Sequence, residues 1–259
     1  MPIHPTAIID KSCEISREAH IGPYCIVGPN THIGAGCVLD SHINIYGWTD
    51  IGERCHFYSH SSIGTDPQDL KYKGETTHLK IGSDNVFREF VSLNRGTRGG
   101  HGVTHIGNDN FFMAYSHVAH DCLVGNHVIM ANAATLAGHV TVGDHATVGA
   151  FSAVHQFCRV GPYAFIGGFS VVTRDALPFI RTVGDRNQAK IYGINVIGLE
   201  RKGFSEKCIG ELKQAYRICF RSKMNTGDAL AKVKETEWET PEVSVLIGFM
   251  ESSERGFIR

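Results

Sequence analysis

HVAHDCLVGNHVIMANAATLAGHVTVGDHATVGAFSAVHQFCRVG, residues 117–161, decides the fold. Every sixth residue from Val118 is apolar: Val124, Met130, Leu136, Val142, Val148, Val154 and Val160. The series extends outward to Ile106 and Val172. One residue out of step, it also runs from Ile3 through Ile63 and from Ile81 through Leu93. A helix would repeat near 3.6 residues, and this period is six. In a short strand plus a turn, residues i and i+4 share a face. Position i+1 is often glycine (Gly107, Gly125, Gly143), which we read as a recurring bend, and position i+4 is mostly Ala, Ser, Thr or Cys. A stack of such units is a parallel β-helix, with large i and small i+4 side chains filling a narrow interior.

Two segments interrupt the period. Residues 66–78 (DPQDLKYKGETTH) are polar and hold the 18-residue phase on both sides; residues 95–105 (RGTRGGHGVTH) are glycine-rich and introduce the shift of one. Both read as loops projecting from the stack, and loops on a rigid scaffold are where binding residues gather. Beyond Pro178 the repeat stops. Ser205 caps a helix striped by Cys208, Leu212, Ala215, Tyr216, Cys219 and Phe220; Thr226 caps a short second helix; Thr240-Pro241 opens a third. The expectation is therefore a β-helix over 1–189 with loops at 66–78 and 95–105, and an α-helical domain over 190–259.

Composition narrows the function. Among 259 residues, 25 Lys+Arg meet 26 Asp+Glu, a balance that argues against nucleic-acid binding by bulk charge. The first residues carry no signal-peptide pattern and no run suffices for a membrane span, which points to the cytoplasm. There the 8 cysteines are thiols rather than bridges. Six of them, Cys13, Cys25, Cys37, Cys55, Cys122 and Cys158, fall at i+4 and read as small interior residues.

Histidine is dense between 117 and 155. With 18 residues per coil, His120, Gly138 and Gln156 form one column, with His139 and His155 beside it and His117 across a corner. Three readings compete. Polar surface residues are the plainest and suit His127 and His145. A zinc site like that of γ-class carbonic anhydrases needs a His pair five apart, which this chain lacks, so no metal is expected. Acid–base chemistry fits His120-Asp121, because a carboxylate can fix an imidazole tautomer.

The repeat resembles that of the hexapeptide acyltransferases, which implies a left-handed β-helix that trimerises. Pattern alone does not supply that hand, since parallel crossovers are usually right-handed. HIGPYCIVGP (20–29), QDLKYKGE (68–75), HVAHDCLVGN (117–126), NAATLAGHV (132–140), AVHQFCRVG (153–161) and GLERKGF (198–204) further resemble the UDP-N-acetylglucosamine O-acyltransferases of lipid A synthesis. That resemblance implies an all-β left-handed parallel β-helix followed by a small α-helical domain. It also implies a homotrimer with no cofactor, transferring a 3-hydroxyacyl chain from acyl carrier protein to UDP-N-acetylglucosamine. By the same resemblance His120 is the general base, Asp121 its support, and the Gly138 N–H the oxyanion donor. Gln68, Asp69 and Lys71 from a neighbouring subunit bind the sugar and phosphates, with His117, His139, His155 and Gln156. Asn195, Arg201 and Lys202 meet the pyrophosphate or the carrier side. Gly168 ends the acyl pocket, which Phe169 shortens.

Lys202 stands where the family commonly has Arg, and Asn94 where it commonly has His; Ala114-Tyr115-Ser116 is also unusual. These departures keep a 3-amino analogue of the sugar nucleotide open as acceptor. The later N-acyltransferase of the pathway is a further alternative, but it carries an extra domain before its repeats, which here begin at Ile3. A non-catalytic scaffold subunit would keep the i positions without needing His120.

Overall fold

A computed structural model describes residues 3–185 and 188–259; Met1, Pro2, Arg186 and Asn187 of the expected 1–189 unit lie outside the described residues. The chain winds as a left-handed parallel β-helix with three flat faces. Face one holds nine strands, from Ile8–Ile9 to Val171–Val172; face two holds eight, from Glu14–Ile15 to Arg159–Val160; face three holds ten, beginning at His20–Ile21. Residues 18 apart pair in register, as Val118 does with Leu136 and Leu136 with Val154. The i residues fill the interior: Val118, Leu136, Val148 and Ile166 are fully buried. Each such side chain contributes roughly 1.5–3 kcal/mol of transfer free energy.

The corners differ from expectation in where they bend. The turning residue is i+3, which takes left-handed φ in almost every hexad, as at Tyr24, Asp121, His139 and Phe169. The i+1 glycines Gly107, Gly125 and Gly143 lack positive φ. They are needed because the next coil lies too close: a Cβ on Gly107 would stand 2.5 Å from the Gly125 carbonyl oxygen. The i+4 residues also have a polar task. Cys122 Sγ donates to the Ala137 carbonyl at 3.1 Å and Ser152 Oγ to the Gly167 carbonyl at 2.8 Å, satisfying a carbonyl in the next coil.

The first edge, where face one turns into face two, carries both loops. Ile63 pairs with Leu93 and Ile51 with Ile81, each 30 residues apart, so the first insertion is two hexads long. It keeps the period of six but moves Ile81 onto face two, whereas an 18-residue phase would have kept it on Ile63's face. Leu93 pairs with Val118, 25 apart, so the second insertion is one hexad plus one residue, which is the observed slip. Strands resume at His78 and Val103, so 78 and 103–105 belong to the sheet rather than to the loops.

Past the coils, Ile180–Val183 extends face three and Lys190–Ile194, expected with the helices, pairs antiparallel to it. Four helices follow: α1 Val196–Arg201, α2 Glu206–Arg221, α3 Thr226–Glu235 and α4 Glu242–Glu251. Ser205 caps α2, its side chain accepting from the Cys208 N–H. The cap of α3 is Asn225, not Thr226. Thr240 donates its hydroxyl to Glu211 at 2.6 Å instead of capping α4. Among the described residues, no helix is long and apolar enough to cross a membrane.

Candidate active site

The first edge stacks the two loops, then His120-Asp121, then Gly138-His139, then Gln156-Phe157, coil upon coil. Asp121 occupies the left-handed i+3 position, and its side chain turns under the second loop, where it is fully buried. Four donors reach its carboxylate. The Thr97 N–H lies 3.0 Å from Oδ1 and 3.1 Å from Oδ2, the Thr97 hydroxyl 2.6 Å from Oδ2, the His101 N–H 2.8 Å from Oδ1, and His120 Nδ1 2.9 Å from Oδ2. Burial pushes its pKa up, but the bonds from Thr97, His120 and the His101 N–H outweigh this and hold the carboxyl below its usual value. An ionised Asp121 bound to Nδ1 makes that nitrogen the N–H and leaves Nε2 as the basic atom of His120, whose side chain is 15% exposed.

Gly138 packs against that ring. A Cβ there would stand 2.6 Å from His120 Cε1 and 2.8 Å from Nε2, so only glycine fits. Its N–H occupies the i+2 position, which the backbone ladder bypasses; Pro23, Pro29 and Pro162 sit at the same phase because no ladder bond is lost there. Among the described residues this N–H has no backbone partner, and it belongs to a residue packed against the His120 ring.

His139 stands edge-on to His120, ring centroids 5.1 Å apart, and stacks on Phe157 at 4.4 Å. Burial lowers its pKa, partly opposed by the charge of Asp121 and, more weakly, of Asp69. The charge of Asp69 thus reaches the His120 edge of its own chain, because both loops leave from that edge. Within this loop Asp69 accepts from the Lys71 N–H at 2.9 Å, while Gln68 and Lys71 are exposed. His117 Nδ1 meets Ser92 Oγ at 2.7 Å, and burial lowers its pKa as well. His155 and Gln156 continue the column.

Other expected residues lie elsewhere in the chain. Asn195, Arg201 and Lys202 gather at the second edge, between faces two and three. Asn195 Nδ2 donates to the Tyr163 carbonyl at 3.2 Å, and the charge of Lys202 depresses His145. Gly168 and Phe169 lie at the third edge, where Phe169 stacks on Phe151 at 5.2 Å and is 73% exposed. Ala114-Tyr115-Ser116 is also at the third edge, away from His120. Asn94 is buried and donates to Thr65 Oγ1 at 2.5 Å and the Asp66 carbonyl at 3.1 Å, which ties the loops together.

Donor atoms of His120, Asp121 and His139 lie within 4.8 Å of one another, at the edge where the 18-residue spacing places both histidines. With four protein donors on its two oxygens, Asp121 has little acceptor capacity left for an ion. Cys122 is no rival nucleophile: burial pushes its thiol up to about 12. Sequence reasoning missed Thr97, Gly100 and His101. The signal was the glycine-rich loop and its place one coil before His120.

Residues 175–258 match the family described as UDP-N-acetylglucosamine O-acyltransferase, domain 2, and residues 103–138 and 139–174 match bacterial transferase hexapeptide repeats. An acyl-[acyl-carrier-protein]–UDP-N-acetylglucosamine O-acyltransferase from Trichlorobacter lovleyi is 53% identical over 260 residues, covering 100% of both chains. One of the same name from Thermodesulfovibrio yellowstonii is 51% identical over 257 residues, 99% of both. The crystal structure of UDP-N-acetylglucosamine O-acyltransferase from Moraxella catarrhalis superposes with a TM-score of 0.96 at 45% identity, covering 100% of both chains.

Proposed function

The chain belongs to the acyl-[acyl-carrier-protein]–UDP-N-acetylglucosamine O-acyltransferases, which perform the first step of lipid A synthesis, and we propose that His120 is the general base of this transfer. The observation that carries the reading is the His120 ring, held through Nδ1 by a buried carboxylate and packed against Gly138, whose N–H has no backbone partner among the described residues. Nε2 takes the proton of the sugar 3-hydroxyl as its oxygen attacks the thioester carbonyl of the 3-hydroxyacyl carrier protein. The Gly138 N–H donates to the tetrahedral oxyanion. Collapse breaks the C–S bond, and the departing thiolate takes the proton back from His120. A thioester is already activated, so no covalent enzyme intermediate is needed.

His117, His139, His155, Gln156 and, from loop 66–78, Gln68, Asp69 and Lys71 line the sugar side. The acyl chain crosses face one, paved near the site by Thr135, Ala137 and Ala153, toward Gly168, where Phe169 limits its length. Asn195, Arg201 and Lys202 lie on the opposite side of face two from His120, so one chain cannot complete the site. A closed three-fold assembly resolves this. Face two, with Glu14, His32, Asp50 and Lys80 pointing outward, stays in solvent. Face one of each protomer meets face three of the next, which brings a neighbour's second edge against the His120 edge. The segment from residue 190 onward is then the unit that serves the neighbouring site, and the assembly works in the cytoplasm.

Transfer assays with a panel of acyl carrier proteins, against UDP-N-acetylglucosamine and its 3-amino analogue, test the reading. The expected acceptor is the 3-hydroxyl, and His120→Ala should lower turnover by at least ~10²-fold with the assembly intact. Near-normal turnover by His120→Ala would remove the general-base role. Preference for the amine would reassign the acceptor.

A further inference from the structure

We propose that Thr97 is a positioning residue for the His120–Asp121 pair, and that loop 95–102, closed over the carboxylate at Gly100, sets how strongly Asp121 draws on His120. The proposal rests on the general-base reading above. Oδ2 of Asp121 is shared: the Thr97 hydroxyl donates to it at 2.6 Å and His120 Nδ1 meets it at 2.9 Å. A hydroxyl donor on the same oxygen withdraws charge that would otherwise serve the imidazole, so Thr97 tempers the pair. Its N–H spans both oxygens and, with the His101 N–H on Oδ1, fixes the plane of the carboxylate. That plane in turn orients the His120 ring. From below, the Thr104 hydroxyl accepts from the Asp121 N–H at 2.8 Å and seats its backbone.

Gly100 makes the closure possible. A Cβ on Gly100 would lie against the Asp121 carboxyl carbon and both its oxygens, nearer than any real side chain approaches. The loop therefore rests directly on the carboxylate, and its seven-residue insertion places it one coil before His120 on the same edge. The titratable groups facing the pair include His117, His139 and the buried Cys122 thiol, with His101 and Asp69 acting on His139. None of them donates to Asp121 Oδ2 as Thr97 does; His139 Nε2 is 3.9 Å away.

The test compares full-length wild type, Thr97→Val, Thr97→Ser, Gly100→Ala and His120→Ala in steady-state transfer to UDP-N-acetylglucosamine over pH 5.5–9. Oligomeric state and melting are measured alongside. Thr97→Val keeps the shape and removes the hydroxyl. It should lower kcat by about 10-fold, leave the sugar-nucleotide KM within about twofold, and move the acid limb of kcat/KM to higher pH. Thr97→Ser restores the donor and should return both toward wild type. Gly100→Ala should lower kcat at least as far with the assembly retained. A Thr97→Val enzyme with wild-type kcat and an unmoved acid limb overturns the proposal, as does a Thr97→Ser enzyme no better than Thr97→Val. Turnover retained by His120→Ala would instead strike the general-base reading, so the two failures are distinguishable.

Discussion

Burial disfavours the protonated form of His117, and contact with Ser92 opposes this only in part. His139 and His145 are held low by burial in the same sense. For all three the folded pKa lies below the ordinary 6.5. As pH falls, the unfolded chain therefore binds protons first, and stability that is full above about 6.5 is lost on descending toward the folded values. Asp121 acts in a separate, lower window: its folded value lies below 3.8, so its contribution persists until strongly acid pH. The melting temperature should fall measurably between pH 7.5 and 5.5, and His117→Gln should flatten that slope. An unchanged melting temperature over the range would count against these burial shifts. The titration belongs to single side chains, yet its cause is the stacking of coils that buries them.

Elements here are hexads and helices, and their glycines divide into two kinds that composition does not distinguish. Gly107 lies against the next coil, where an added methyl would stand 2.5 Å from the Gly125 carbonyl oxygen; Gly210 in α2 has nothing within 4 Å. The same substitution should thus have opposite signs. Gly107→Ala must push coils apart and lower the unfolding midpoint. Gly210→Ala should raise it, by up to about 1 kcal/mol, because alanine is the better helix former. Val118→Asn buries an amide at a fully enclosed i position and should cost about 3 kcal/mol or more. Denaturant midpoints of the three variants against wild type check this order, and a Gly107→Ala chain as stable as Gly210→Ala would contradict the close-approach account.

In the whole molecule, two groups of residues proposed for the site lie at edges separated by face two, His120 at the first and Arg201 at the second. If three protomers share their sites, two inactive variants should rescue each other. His120→Ala and Arg201→Ala, each impaired alone, should recover a fraction of wild-type turnover when co-expressed, since some mixed interfaces pair an intact His120 with an intact Arg201. Absence of recovery in verified mixed assemblies would place both residues in one chain's site. The exposed third edge fits the same assembly: Tyr24, His42, His60, Phe90 and Tyr115 stack along it at about 5 Å spacing, facing the axis around which faces one and three would meet.

The period of six, readable from Ile3 to Val172, determined the β-helix, its interior and the column of His120, Gly138 and Gln156, because each coil repeats the same 18-residue geometry. Residue types at matched motifs carried the family. The tertiary structure alone decided which insertion lengths moved the chain between faces, which glycines were bends and which were close approaches, and that Thr97 and His101 reach Asp121 across 24 and 20 residues. Those outcomes depend on distances between coils, and a repeat fixes spacing along the chain while leaving the paths of its insertions free.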